Sequence, residues 1–201
     1  MRKNQDLFYP NHFYHVYNRT NNREKLFTKP ENYVYFLKKY DKYLSSVLTT
    51  YSYCLLGNHF HLLVKIKEKE ELVSFQKEKV FDSHQIVSKQ FATFLGTYSK
   101  AFNKQEKRTG NLFQRPFKRV KISSDSKFAN IIYYLHANPE LHKITSDFRT
   151  YKWSSYQAFL SSMPTKIPRA EVLDWFGGKE YFLRFHQEAH DDRTSSWYLE
   201  E

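Results

Sequence analysis

Two histidines, His59 and His61, flank Phe60 at the start of a run to Ile66 that is rich in aromatic and β-branched residues, the composition of a strand. Side chains at i and i+2 leave a strand on the same side, so both imidazoles can reach one divalent ion while Phe60 anchors the strand in a core. The same spacing also suits a hydrogen-bonded pair of surface histidines. A second group lies on the helical run after Ser124, where Phe128, Ile131, Ile132 and Leu135 form an apolar stripe. At about 100° per residue, Tyr134 and Asn138 share one flank of that helix, one turn apart, and can address one site. The alternative is an amphipathic edge residue and a helix cap. Tyr133 is expected to point away from the core and His136 to lie on the other flank.

The charge balance points to the class of partner. The chain has 201 residues, with 32 Lys and Arg against 21 Asp and Glu, a formal net charge of +11. Such an excess favours a polyanion, nucleic acid before membrane, over a small acidic substrate. The basic segment from Lys107 to Lys121 supplies a phosphate track through Arg108, Arg115, Lys118, Arg119 and Lys121, and Arg19, Arg23 and Lys25 form a second cluster. Phe113 and Phe117 lie within the first and can stack on unpaired bases. A solvated basic face over an aromatic core is the competing account. His15 reads as an ordinary strand histidine, and Trp153 and Tyr156 as packing residues.

An 18% aromatic content within 40% hydrophobic residues excludes intrinsic disorder. The single cysteine, Cys54, can form no internal disulfide and no thiolate metal site, and its apolar neighbours make it a core residue. No apolar run approaches the ~20 residues of a membrane span, and the first ten residues are not a signal-peptide core, so a cytoplasmic location is expected.

The elements that must position these residues follow from periodicity. Strands are expected over Phe13 to Arg19, Thr50 to Leu56, His59 to Ile66 and Phe117 to Ile122, the middle two joined by a hairpin at Gly57-Asn58. On the histidine strand, Phe60, Leu62, Val64 and Ile66 face a core and His59, His61, Leu63 and Lys65 do not. Amphipathic helices are expected over Glu31 to Val47, with Pro30 in the first turn, and over Ser83 to Lys104, with the polar stretch Lys67 to Lys79 a loop. A third helix, capped by Ser124 or Asp125, should end at Ala137 before Asn138-Pro139. Short aromatic helices are expected over Tyr151 to Leu160 and Val172 to His186, the latter docked by Trp175-Phe176-Gly177-Gly178. The order describes an α+β fold with a mostly antiparallel sheet of ferredoxin-like or RRM-like plan, in which residues 1–160 form the main domain and 161–201 a helical extension.

Four blocks, LGNHFHLLV (56–64), TGNLFQRPFK (109–118), YLHANP (134–139) and YKWSSY (151–156), together resemble the single-tyrosine HUH transposases, especially the REP-associated tyrosine transposases. The similarity spans roughly residues 12 to 160. The resemblance implies a nuclease domain that cuts and rejoins single-stranded DNA beside a folded hairpin through a 5′-phosphotyrosine intermediate. It places the paired histidines on His59 and His61, the nucleophile on Tyr134 and a third metal ligand on Asn138, with Mg²⁺ or Mn²⁺ as cofactor. It also implies a monomer or homodimer with no membrane partner. The chain departs from the pattern at Gly57, where many relatives have proline, and at Glu140, where an apolar residue is common; some relatives carry Gln in place of Asn138. Two other classes fit part of the pattern: a non-catalytic nucleic-acid-binding module of RRM type, which leaves His59, His61 and Tyr134 without a reason to occur together, and a replication-initiator nickase with the same chemistry.

Overall fold

A computed structural model describes residues 5–75 and 80–191. Its elements are β1 (Phe13–Arg19), α1 (Pro30–Leu44), β2 (Leu48–Leu56), β3 (His59–Ile66), α2 (Lys69–Leu72), α3 (Ser83–Gln105), β4 (Lys118–Ile122), α4 (Asp125–Leu141), α5 (Tyr156–Leu160), α6 (Arg169–Trp175) and α7 (Lys179–Asp191). The strands form one antiparallel sheet in the order β2-β3-β1-β4, with α1 and α3 as the two crossovers, which is the expected α+β, ferredoxin-like plan. The hairpin turn falls at Gly57-Asn58 as expected. Alternation sets the first core: Tyr14 and Val16 of β1 and Phe60, Leu62, Val64 and Ile66 of β3 pack with Phe36 and Tyr40 of α1 and Phe91, Phe94 and Tyr98 of α3. No described helix is long and apolar enough to cross a membrane.

The opposite face of the sheet departs from expectation. It is covered, because α4 lies across it and packs Phe128, Ile132 and Leu135 with Leu63 and Tyr51, so His59 and His61 are buried. Nor does α4 keep a solvent side. Tyr133 and His136, expected away from the core, are both fully buried, because a second layer made by Phe148, Tyr156, Phe159, Val172 and Phe182 covers the far side of the helix. Trp175 stacks on Phe128 with ring centroids 4.2 Å apart, so the Trp175-Phe176 segment docks the C-terminal helices as expected. Trp153, stacked on Tyr33 at 4.3 Å, and Tyr156 are packing residues, and Cys54 is a core residue.

Three local expectations change. Helix α4 starts at the Ser124 cap, whose hydroxyl accepts from the Lys127 amide, but it runs through Pro139 to Leu141. A proline near the last turn forfeits one amide donor, and the conformational bias it places on Asn138 is overridden because both residues are buried and the Asn138 carbonyl accepts from His142 N. The Lys67 to Lys79 stretch contains α2 and a 3₁₀ turn at Val73–Phe75, while residues 76–79 lie outside the described residues. The run Val172 to His186 is two helices, broken at Gly177 and Gly178, whose φ angles of +83° and +117° suit glycine.

A chain of buried polar groups ties α4 to its cover. His186 Nδ1 donates to the Phe182 carbonyl at 2.8 Å, which leaves its Nε2 to accept from His136 Nδ1 at 2.9 Å; His136 Nε2 then accepts from the Ser155 hydroxyl at 2.9 Å. Every link needs neutral imidazoles. Burial accordingly pushes His186 down to about 4 and His136 well below the ordinary range. Below pH ~6.5 the unfolded chain binds protons that the folded chain refuses, so each such histidine removes about 1.4 kcal/mol of stability per pH unit until its folded value is reached. Unfolding midpoints in urea should therefore fall steadily between pH 6.5 and 4, and His186→Leu should make that decline shallower by about one proton; an unchanged slope would contradict neutral burial of His186.

Candidate functional site

The site is built where β1 and β3 run side by side beneath α4. The register pairs Tyr17 with His61 and Arg19 with His59, so alternation puts His15, Tyr17, Arg19, His59 and His61 on the face that α4 covers. The Tyr134 ring meets His61 edge-on at 5.7 Å between centroids and His15 at 6.1 Å, while His59 and His61 are 5.1 Å apart. Tyr17 stacks on His61 at 5.6 Å. His142, just beyond α4, meets His59 at 4.8 Å. The imidazoles of the sheet and the phenol of the helix thus converge, with Tyr134 only 7% exposed.

Each paired histidine has its Nδ1 engaged. His59 Nδ1 donates to the Asn58 side-chain oxygen at 2.6 Å, and His61 Nδ1 lies 3.0 Å from His15 Nε2. With Nδ1 of His59 held by Asn58, its Nε2 carries the lone pair, and that atom is buried with no hydrogen-bond partner. Both side-chain atoms of the Asn138 amide are buried without a partner as well. Asn138 lies close enough to raise the proton affinity of His59 slightly, without closing a well-formed hydrogen bond. A buried unpaired amide costs about 1–3 kcal/mol per group, so a cluster of them needs an explanation.

A divalent cation fits that cluster. Burial, then the neighbouring His142 and Arg19, lowers His59 to about 3; burial, then the surrounding imidazoles and Arg19, takes His61 well below its usual value; and burial alone brings His15 to about 3. All three are neutral at pH 7, the state in which imidazole acts as a ligand. Among the described residues no three His, Cys, Asp or Glu side chains converge as a metal-holding set, so the Asn138 amide oxygen is the available third donor beside His59 and His61. Neutral nitrogen and oxygen donors admit Mg²⁺ or Mn²⁺ and equally softer first-row ions.

The basic residues divide. Arg19 acts electrostatically on His59, His61 and His142, and Lys118 extends its ammonium over the Tyr17 ring at 5.4 Å, so these two border the site. Arg115, Lys25 and Arg23 are exposed. Lys121 reaches over Tyr9, at 5.7 Å. Arg119 is a correction: it is 8% exposed, lies between Phe8 and Phe117 and donates to the Asp6 carbonyl at 2.6 Å, so its charge is held inside an aromatic sandwich. Arg108 is tied to Glu24 at 2.6 Å and to Asn103. Phe113 is a core residue and Phe117 packs on Phe91, so neither presents a bare face for base stacking. Sequence reasoning set aside His15 and did not single out Asn58, Tyr17 or His142. The alternation of His15 and Tyr17 beside an antiparallel histidine strand carried the signal for the first and third.

A four-stranded antiparallel sheet with two imidazoles on one face and a tyrosine helix laid over them defines a class of fold and a site of one shape. No family model and no curated protein matches this chain. A solved structure of a REP-associated tyrosine transposase bound to a REP hairpin superposes with a TM-score of 0.61 over 82% of this chain and 89% of that one, at 14% identity. That likeness shows the fold.

Removing the Asn58 acceptor frees the His59 ring. Asn58→Leu is expected to weaken Mn²⁺ binding about 10- to 100-fold in calorimetric titration, with an unchanged far-ultraviolet circular dichroism spectrum. Affinity equal to that of the parent chain would show that Asn58 does not orient His59.

Proposed function

We propose that the protein is a DNA transposase of the single-tyrosine type, which cleaves and rejoins single-stranded DNA beside a hairpin. The observation that carries the reading is the edge-on approach of Tyr134 to His61, at 5.7 Å, on the same helix that delivers the unpaired Asn138 amide. A binding module of RRM type has no use for a phenol and unsatisfied donors buried together. The fold shared with a hairpin-bound transposase and the net charge of +11 support the same partner class, DNA.

In this reading the Tyr134 oxygen attacks the scissile phosphorus in line, a bond forms between them, and the bond from phosphorus to the 3′ oxygen breaks. The phenol gives up its proton and the departing 3′ oxygen gains one, so the products are a 5′-phosphotyrosyl enzyme and a free 3′-hydroxyl. The phosphoester is conserved, and a second 3′-hydroxyl can reverse the step to join strands. A phenol ionises near pH ~10 in water, so charge developing on the phosphate must be offset within the site. His59, His61 and Asn138 would hold a divalent cation, which supplies Lewis-acid stabilisation of the phosphate oxygens. Packing of the Tyr134 ring between its own helix α4 and the sheet would fix its approach, which is where positioning contributes to rate. Arg19 and Lys118, at the border, would seat the flanking phosphates.

Incubating the chain with a 5′- or 3′-labelled single-stranded hairpin and Mn²⁺ should leave the label 3′ of the cut on the protein in a denaturing gel. Tyr134→Phe should abolish that adduct, a loss of at least a thousandfold, while hairpin affinity stays within about threefold, because only one hydroxyl is removed. Persistent cleavage by this variant would refute the assignment.

A further inference from the structure

Beyond Asn138, the tyrosine helix brings one more residue to the site. Tyr134, Asn138 and His142 follow one another at intervals of four, the spacing that places side chains on one stripe of a helix, about 6 Å apart along its axis. His142 closes α4: its amide donates to the Asn138 carbonyl at 3.0 Å, and the chain turns away at Lys143, whose φ is +56°. Two further bonds, from Lys143 N to the Glu140 carbonyl and from Ile144 N to the Pro139 carbonyl, each 2.8 Å, hold that end of the helix. Backbone bonds thus fix where the His142 imidazole emerges.

The stripe runs beside the histidine row of β3. Tyr134 meets His61 at 5.7 Å and His142 meets His59 at 4.8 Å between ring centroids, so a phenol stands at one end of the His59 and His61 pair and a further imidazole at the other. The two ends differ in access. Tyr134 is buried, whereas His142 is open to solvent. Among the described residues the His142 ring makes no hydrogen bond and no ion pair; the groups that act on it electrostatically are His59, His61 and Arg19, with no carboxylate among them. Nor does it join His59 and His61 as a set that could hold a metal. A neutral imidazole carries an N–H donor in either tautomer, so a donor without an acceptor lies at the end of the site opposite the nucleophile.

In-line displacement puts the attacking and departing oxygens on opposite sides of phosphorus. We infer that His142 is a further catalytic residue, whose N–H hydrogen-bonds to the departing 3′ oxygen. The inference rests on the transposase reading and fills a role that this reading gives to no residue. The Tyr134 oxygen bonds to phosphorus and the bond from phosphorus to the 3′ oxygen breaks. The phenol proton passes to water, and the departing oxygen, its developing charge held by the His142 N–H, takes its proton from water at the open end of the site.

A substrate with sulfur in place of the bridging 3′ oxygen separates this role from packing, because a thiolate departs without needing a hydrogen bond. On the ordinary hairpin with Mn²⁺, His142→Ala should slow single-turnover adduct formation about a hundredfold, the scale of losing one such donor. On the 3′-sulfur substrate the same preparation should be slowed by less than about threefold, and His142→Gln, which keeps an N–H donor, should recover about a tenth or more of the parent rate on the ordinary hairpin. Affinities for Mn²⁺, by calorimetry, and for the hairpin should each stay within about threefold of the parent chain. Equal slowing on both substrates, or no slowing on either, would overturn the role, and a loss of Mn²⁺ affinity of about tenfold or more would make His142 a metal-site residue instead. A parent chain that forms no Tyr134 adduct with either substrate would overturn the transposase reading itself.

Discussion

Laying α4 across the second face of the sheet is the constraint on which the site depends. Once that helix is down, every polar group beneath it loses water, and each must find a partner or remain unsatisfied in a medium where that is expensive. The molecule solves this in two ways along one helix. His136 finds Ser155 and His186 and closes a neutral hydrogen-bonded chain. Asn138, half a turn further on, has a buried amide with no partner, next to a histidine nitrogen in the same condition. Similar burial therefore produces a satisfied hydrogen-bonded network on one side of α4 and an incompletely satisfied cluster on the other.

The same burial sets the electrostatics. Desolvation is the leading cause of the lowered proton affinity at His15, His59 and His61, and it keeps three neighbouring imidazoles uncharged where three imidazolium ions would repel one another. Neither the imidazoles nor the amide brings negative charge of its own, so in the proposed function this site of neutral donors beside Arg19 would receive a phosphate together with a cation. The C-terminal helices contribute indirectly. Phe182 and Val172 sit in the cluster that buries the far side of α4, so the segment after residue 160 is packing for the tyrosine helix.

The sheet and its two crossover helices were legible in local pattern, because alternation in β1 and β3 and the 3.6-residue stripes of α1 and α3 are properties of neighbouring residues. The grouping of His59 with His61 and of Tyr134 with Asn138 was legible for the same reason: each pair lies within one turn or one pleat. The errors have a common origin. Tyr133 was assigned to the side away from the core, His136 to a flank and the histidines to the strand face without a core, because an amphipathic pattern presumes one buried face, whereas α4 lies between the sheet and a second layer drawn from residues 148–182. Arg119 counted as a phosphate contact on composition; its neighbour in space, Asp6, is more than a hundred residues away in the chain.

What the amino-acid order determined by itself is the set of elements and the short-range pairs they carry, since strand and helix geometry convert spacing directly into direction. What only the tertiary structure decided is that the two pairs meet, that His15, Tyr17, Asn58 and His142 gather around them, and which cations remain at the surface. Those outcomes depend on strand register and on which layers cover which faces, and contacts between residues far apart in the chain leave no periodic trace in it.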